Sequence, residues 1–255
     1  MYRFLPATLL LVCAQGCLLA IQIEQGNGDI VDETRDVGAF TEVHSAGSLS
    51  VSVVAGDAPS VVVSCDSNLL ERIETRVEDG TLVIDQRGSL LPSDGCCVHV
   101  VAVDLSGVVL DGSGAVDVDF ATLGSARIAG SGALTVHGPV TTDHFDASNA
   151  GSGRLEVGEL DVASLDVDSS GSGAIDVAAG VAGSLLVDQS GSGSVDTVGL
   201  SAEDVVVSVS GSGNADVTAT LSVQATLDGS GNITVHGDPA ERDVDESGSG
   251  RITFE

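Results

Sequence analysis

The chain has 255 residues, enough for one sizeable core, yet it offers five Phe, one Tyr and no Trp to fill it, against 33 Gly. Packing therefore falls to Val, Leu, Ile and Ala, which suits narrow stacked layers better than a globule built round large aromatics. A formal charge of −29 with no Lys excludes nucleic acid and anionic lipid headgroups as direct partners of the folded part, and 42% hydrophobic residues argue against a disordered acidic chain.

In chain order the first element is an address. Tyr2 and Arg3 form a short n-region, Phe4 to Ala14 is an apolar stretch too short to span a bilayer comfortably, and Ala14-Gln15-Gly16-Cys17 follows. The tetrapeptide resembles a bacterial lipobox, whose cysteine is acylated and becomes the first mature residue, although Leu is commoner than Ala three residues before it. Ordinary signal-peptidase cleavage near Ala14 or Ala20 is the alternative, and both imply export. The expected layout is a lipoprotein-type signal peptide at 1–16, lipidation at Cys17, a tether at 17–33 and one domain at 34–255. The expected location is the outer membrane or cell surface, with membrane contact only through the anchor.

Export puts Cys65, Cys96 and Cys97 in an oxidising compartment. One disulfide from Cys65 to Cys96 or Cys97 leaves a thiol over. A vicinal Cys96–Cys97 bridge is sterically awkward, and no CxxC or paired His accompanies these residues to make a metal site.

Between 34 and 105 the runs Ser48–Val54, Ser60–Val63 and Thr81–Ile84 read as strands, and Asn68–Ile73 as a turn or short helical excursion. This less regular stretch is expected to form the first turns and a cap over the end of the core. The regular repeats occupy 106–255. Gly-Ser-Gly triplets begin at Gly112, Gly130, Gly151, Gly171, Gly191, Gly211, Gly229 and Gly248, spaced by 18, 21, 20, 20, 20, 18 and 19 residues. Each is followed by alternating residues such as Ala174-Ile175-Asp176-Val177 and preceded by another alternating run such as Leu185 and Val187. The pattern predicts an all-β parallel β-helix of about 20-residue turns, each with two short strands joined through the triplet. A propeller blade needs about twice that period. Glycine is expected at the corner for positive φ or strained geometry, and serine to bond neighbouring turns or its own backbone.

One candidate site emerges from the register. Glu156, Asp176, Asp196 and Asp216 each lie five residues after the first glycine of a triplet, so one repeat per turn stacks them outward at about 4.8 Å, where neighbours repel by roughly 0.9 kcal/mol in water. Either Ca²⁺ bridges the turns or the side chains splay into screening solvent, and the solvated face is the favoured reading. No other cofactor is expected. His44, His99, His137, His144 and His236 read as single histidines near turns, and Arg127, Arg154 and Arg251 as charge relief for an acidic surface.

Phe40-Thr41-Glu42-Val43, then Leu49-Ser50-Val51-Ser52-Val53 and Asn68, the Gly80–Ile84 segment, and Gly-Ser-Gly units such as that within Ser210–Gly213 together resemble the DUF2807 family, the autotransporter adhesin head GIN domain, over residues 34–255. The resemblance implies a right-handed parallel β-helix similar in shape to pectin lyase folds, an envelope location and an adhesive role without established catalytic residues. The function expected is non-catalytic binding of a surface protein or glycan. A polysaccharide-active enzyme on the same scaffold, or a purely structural envelope component, is the alternative. An enzyme of that kind needs clustered carboxylates with a basic partner, which scattered arginines and absent lysines do not offer.

Overall fold

Residues 23–255 are described by a computed structural model. The expected signal peptide, Cys17 and residues 17–22 of the expected tether lie outside them.

The regular half is a parallel β-solenoid. Strands Arg154–Ser169, Ala174–Gln189, Ser194–Val209 and Asn214–Gly229 stack one repeat apart, so that Leu155 faces Ile175, Ile175 faces Val195 and Val195 faces Ala215. In Arg154–Ser169 the buried apolar positions are Leu155, Val157, Leu160, Val162, Leu165 and Val167. Alternation breaks at 158–159 and 163–164, where two successive residues stay outside and the chain bends; the triplet makes the third corner. In these four turns the expected pair of short strands is one long strand bent twice, whereas Gly107–Leu110 and Ala115–Asp119, and then Ser125–Ile128 and Ala133–His137, are separate strands joined through a triplet as expected. Where the repeat shortens to 18 residues, Thr197 pairs with Val217 and Ser201 with Thr218, leaving the corner at 198–200 without a counterpart on the next turn.

Each triplet glycine is required by close approach more than by φ. Among the eight triplet-opening glycines only Gly229 and Gly248 have positive φ. At Gly130, Gly151, Gly171 and Gly191 a Cβ would instead overlap the carbonyl oxygen of the opening glycine one turn earlier. That carbonyl accepts two bonds: Gly151 O takes the Ser172 N–H at 3.0 Å and the Gly173 N–H at 3.2 Å. The second glycine leaves room inside for a side chain of the preceding turn, Leu110 beneath Gly132 and Leu227 beneath Gly250. Asn149, Ser169 and Gln189 occupy the same inward column, in register and buried. Asn149 is satisfied, its Nδ2 donating to Gly153 O at 2.8 Å and its Oδ1 accepting from Gly151 N at 3.1 Å, whereas the Gln189 carboxamide has no partner.

Spatial order departs from chain order in the first half. The coil of Glu42–Ala46 and Ser50–Ala55 is sandwiched: Thr81–Gln86 and Cys97–Ala102 stack on one side, Gly107–Leu110 and Ala115–Asp119 on the other. The chain lays down a middle coil, leaves for the end, and crosses back at 103–106, where the Ser106 N–H donates to Thr41 O at 2.7 Å. The outlying end is capped by the antiparallel strands Ser60–Asp66 and Ile73–Glu78 with a 3-10 turn at Leu70–Arg72 between them, which buries Leu69, Leu70 and Ile73. The hairpin into Thr81–Gln86 turns at Asp79-Gly80, both at positive φ.

The stretch expected to be a tether is strand-paired where it is described. Ile23–Gln25 runs parallel to Ser89–Leu91, and Ile30–Arg35 antiparallel to Ser60–Asp66.

Candidate functional site

On the outside of the triplet corner the solenoid carries a shallow groove of about 310 Å³, running along its axis and lined by Ser152, Arg154, Ser172, Ser192, Ser194 and Asn214. Stacking creates it: small serines recur at one angular position, and strand alternation points residues 154, 174, 194 and 214 to the same outer side. The triplet serines tie the turns together through their N–H groups; their hydroxyls, exposed at Ser152, Ser172 and Ser192, make no hydrogen bond to protein among the described residues, contrary to the expectation. They are free to donate and accept.

Two residues along each turn, Glu156, Asp176, Asp196 and Asp216 form one register column, continued by Thr135 and Thr234. Arg154 lies beside it, Nη1 at 3.2 Å from Asp176 Oδ2 and 3.6 Å from Glu156 Oε1. Partial burial first, then the negative charges of Asp196 and Glu156, push the Asp176 carboxyl above its ordinary range, and Arg154 opposes them. Asp196 turns aside, its Oδ1 accepting the Val198 N–H at 3.1 Å. Among the described residues no group of three or more His, Cys, Asp or Glu gathers to hold a metal ion. The column is a series of separately directed acceptors beside the groove.

The other candidate residues lie apart. Cys65 and Cys96 form the disulfide, with Cα atoms 4.5 Å apart. Alternation explains the choice: Val61, Val63 and Cys65 face the core, Cys96 is buried, and Cys97 begins a strand whose next inward residue is Val98. Cys97 keeps its thiol, 3.5 Å from His99 Nε2, while His99 Nδ1 is 2.8 Å from Ser52 Oγ. Sequence reading missed this trio, although the Cys97-Val98-His99 alternation already put both side chains outside. His137 is 3.4 Å from Asp117, and His236 is 4.0 Å from Glu255. His144 sits between Ser164 Oγ at 2.9 Å and Asp146 at 3.7 Å. His137 and His144 share one coil but bond to different groups, and the His44 Nε2 is buried without a partner. Of the three arginines read as charge relief, Arg154 forms ion pairs, whereas Arg127 and Arg251 form none among the described residues.

A β-solenoid with a capped end, a polar groove along its corner and carboxylates arrayed on one side is a repeat scaffold of the kind that presents an extended binding surface. The chain belongs to the DUF2807 family, whose model, described as "Putative auto-transporter adhesin, head GIN domain", matches residues 39–239. Solved structures share the fold. A putative lipid binding protein from Parabacteroides distasonis is 25% identical, with 92% of this chain and all of that one aligned and a TM-score of 0.83. A putative adhesin from the same species is 24% identical over 92% of this chain and all of that one, with a TM-score of 0.78. A putative adhesin from Parabacteroides merdae is 19% identical over 91% and 99%, also with a TM-score of 0.78. No curated protein matches the chain.

Proposed function

We propose that this chain is a non-catalytic cell-envelope β-helix that binds a surface protein or glycan in an adhesive role, using the groove between the triplet serines and the carboxylate column. The observation that carries the reading is the row of exposed Ser152, Ser172 and Ser192 hydroxyls with no protein partner, set in a groove beside Arg154 and Asn214. Such groups hydrogen-bond polar ligands, and a flat acidic side disfavours anionic ones. The test is binding of the purified protein to immobilised glycans and envelope proteins, repeated with Ser172→Arg/Ser192→Arg. Lost binding with unchanged thermal unfolding supports the groove; full binding by the double variant rejects it. Polysaccharide turnover abolished by Asp176→Asn would support the enzymatic alternative instead.

A lipid-binding reading is favoured by the name of one similar structure and by the exposed aliphatic side chains Val181, Leu186, Val206 and Leu221. Flotation with neutral vesicles tests it. The same proposal has the chain exported and held in the outer membrane by Cys17, so fatty-acid labelling should disappear in Cys17→Ser.

A further inference from the structure

The segment ahead of the middle coil is fastened to the cap by one buried carboxylate. Asp66 ends the strand Ser60–Asp66 and is fully buried. Its Oδ1 accepts the Gly28 N–H at 2.6 Å and the Ser93 hydroxyl at 2.8 Å, and its Oδ2 accepts the Ser93 N–H at 2.9 Å. It thereby joins the turn at 26–29, the end of its own strand and the loop at 92–95. The packing is tight, because a Cβ on Gly26 would overlap the carboxylate.

Little else holds the segment by burial. In Ile30–Arg35 five of six residues are exposed, so its attachment is the backbone pairing to Ser60–Asp66 and the Arg35 Nη2 bond to Leu70 O at 2.8 Å. Around Asp66 the Asn27 N–H donates to Asn68 Oδ1 at 3.0 Å, the Asn68 amide donates to Gln25 O at 2.9 Å, and the Ser67 N–H donates to Asp29 O at 2.8 Å. Ahead of this turn Ile23–Gln25 runs parallel to Ser89–Leu91, and the Gly26 N–H donates to Leu91 O at 2.9 Å. The charged groups on the elements round Asp66 are Glu24, paired with Arg72 at 2.6 Å, Glu33, paired with Arg35 at 3.2 Å, and Asp29, Asp32, Glu71 and Asp94. All of them reach solvent, and Asp66 is the buried charge, held by hydrogen-bond donors without a cation.

We propose that Asp66 is an acid-released latch on residues 23–35: ionised, it clips this arm to the cap, and protonated, it lets the arm detach while the coils stay stacked. Protonation turns one acceptor into a donor: the Gly28 and Ser93 N–H groups cannot accept it, and the Ser93 hydroxyl can do so only by giving up its own donation, so the clip loses at least one bond and the charge that strengthens the others. Release uncovers the edge of Ser60–Asp66 and the outer side of the Cys65–Cys96 bridge, since Val31 is the register partner of Cys65. The sign follows from the donors. The Ser93 N–H, opposed by burial and helped by the Ser93 hydroxyl and the Gly28 N–H, holds the Asp66 carboxyl below its ordinary range. The clip is therefore complete above about pH 3.9, the ordinary aspartate value, and is lost as pH falls through the lower folded value.

Hydrogen-exchange mass spectrometry on the full-length protein, pulse-labelled across pH 7 to 2 and corrected for intrinsic exchange, tests the latch. Peptides covering 23–35 should lose about tenfold in protection relative to peptides covering 154–209 once the pH has fallen through the lowered Asp66 value, with no loss above the ordinary aspartate range, a loss expected from one or two hydrogen bonds. Asp66→Asn should show the same local loss already at pH 7. Ser93→Ala, which removes one donor and leaves the backbone bonds, should move release to higher pH. The proposal is overturned if arm and coils lose protection together, or if protection of the arm is flat with pH and the same in the variants as in the wild type.

Discussion

Gly171→Ala isolates the reason for the triplets. The new methyl group would fall on the carbonyl of Gly151, which already accepts the Ser172 N–H at 3.0 Å and the Gly173 N–H at 3.2 Å. Moving the corner away weakens both bonds, at about 1 kcal/mol each, and leaving it in place overpacks backbone against side chain at about 1–3 kcal/mol. The expected loss is about 3 kcal/mol in denaturant unfolding at constant slope. Two substitutions bracket it. Ser172→Ala removes only an exposed hydroxyl without a protein partner and should fall within about 0.5 kcal/mol of the wild type. Gly38→Ala adds a methyl group with no atom within 4 Å, at a glycine outside the left-handed region, and should stabilise by about 0.4–1 kcal/mol through the unfolded chain. If Gly171→Ala behaves like Ser172→Ala, the close-approach explanation is wrong.

Arg154→Ala should cost on the order of 0.5–1 kcal/mol in low salt by leaving Glu156 and Asp176 to repel, and adding Asp176→Asn should recover most of it; a cycle that shows no coupling, or coupling untouched by 1 M salt, counts against the ladder electrostatics. Because the Asp176 carboxyl is pushed up by burial and its acidic neighbours, its ionised form weighs against the fold at neutral pH, so the benefit of Asp176→Asn in the Arg154→Ala background should vanish on acidifying below its ordinary range. Calcium titration should stabilise the protein no more than matched ionic strength does. Gln189→Leu should raise stability by about 1–2 kcal/mol in chemical unfolding, since leucine already fits beneath the corner glycine at Leu110 and Leu227 and the carboxamide it replaces has no partner. A maleimide should label Cys97 without reductant and reach Cys65 and Cys96 only after reduction. Breaking that bridge, which closes a separation of 31 residues, should cost about 3–4 kcal/mol in thermal or denaturant unfolding.

What could be read in advance was whatever depends on period alone. A spacing of 20 residues places Asp176 beside Asp196 in any parallel coil, so the carboxylate column and the inward Val and Leu positions were legible without coordinates. Neighbour order in the first half was not. Alternation in Ser50-Val51-Ser52-Val53 says which side chains face in, but nothing in it says that Cys97–Ala102 will stack on this strand from one side and Ala115–Asp119 from the other. The Asp79-Gly80 hairpin is written in the residues, but reading Thr81–Ile84 as a strand near a cap does not by itself name the antiparallel partner Ile73–Glu78. The serine role differs from the expectation because the carbonyl of the preceding turn is taken by the backbone N–H groups, and the hydroxyls of Ser152, Ser172 and Ser192 are left exposed. The docked arm at 23–35 is not legible because its strands pair with Ser60–Asp66 and Ser89–Leu91, far along the chain and outside any repeat.

The crossing at 103–106 makes the coil of residues 42–55 a seed with two growing fronts. On one front the chain adds Thr81–Gln86 and Cys97–Ala102 and closes with the cap; on the other, starting at Gly107, it adds coils one repeat at a time. The second front rests directly on the seed and owes none of its register to the first. Change in the number of regular turns therefore leaves the capped end untouched, and the length of this molecule is a quantity that repeat duplication or loss can adjust without redesigning how it begins.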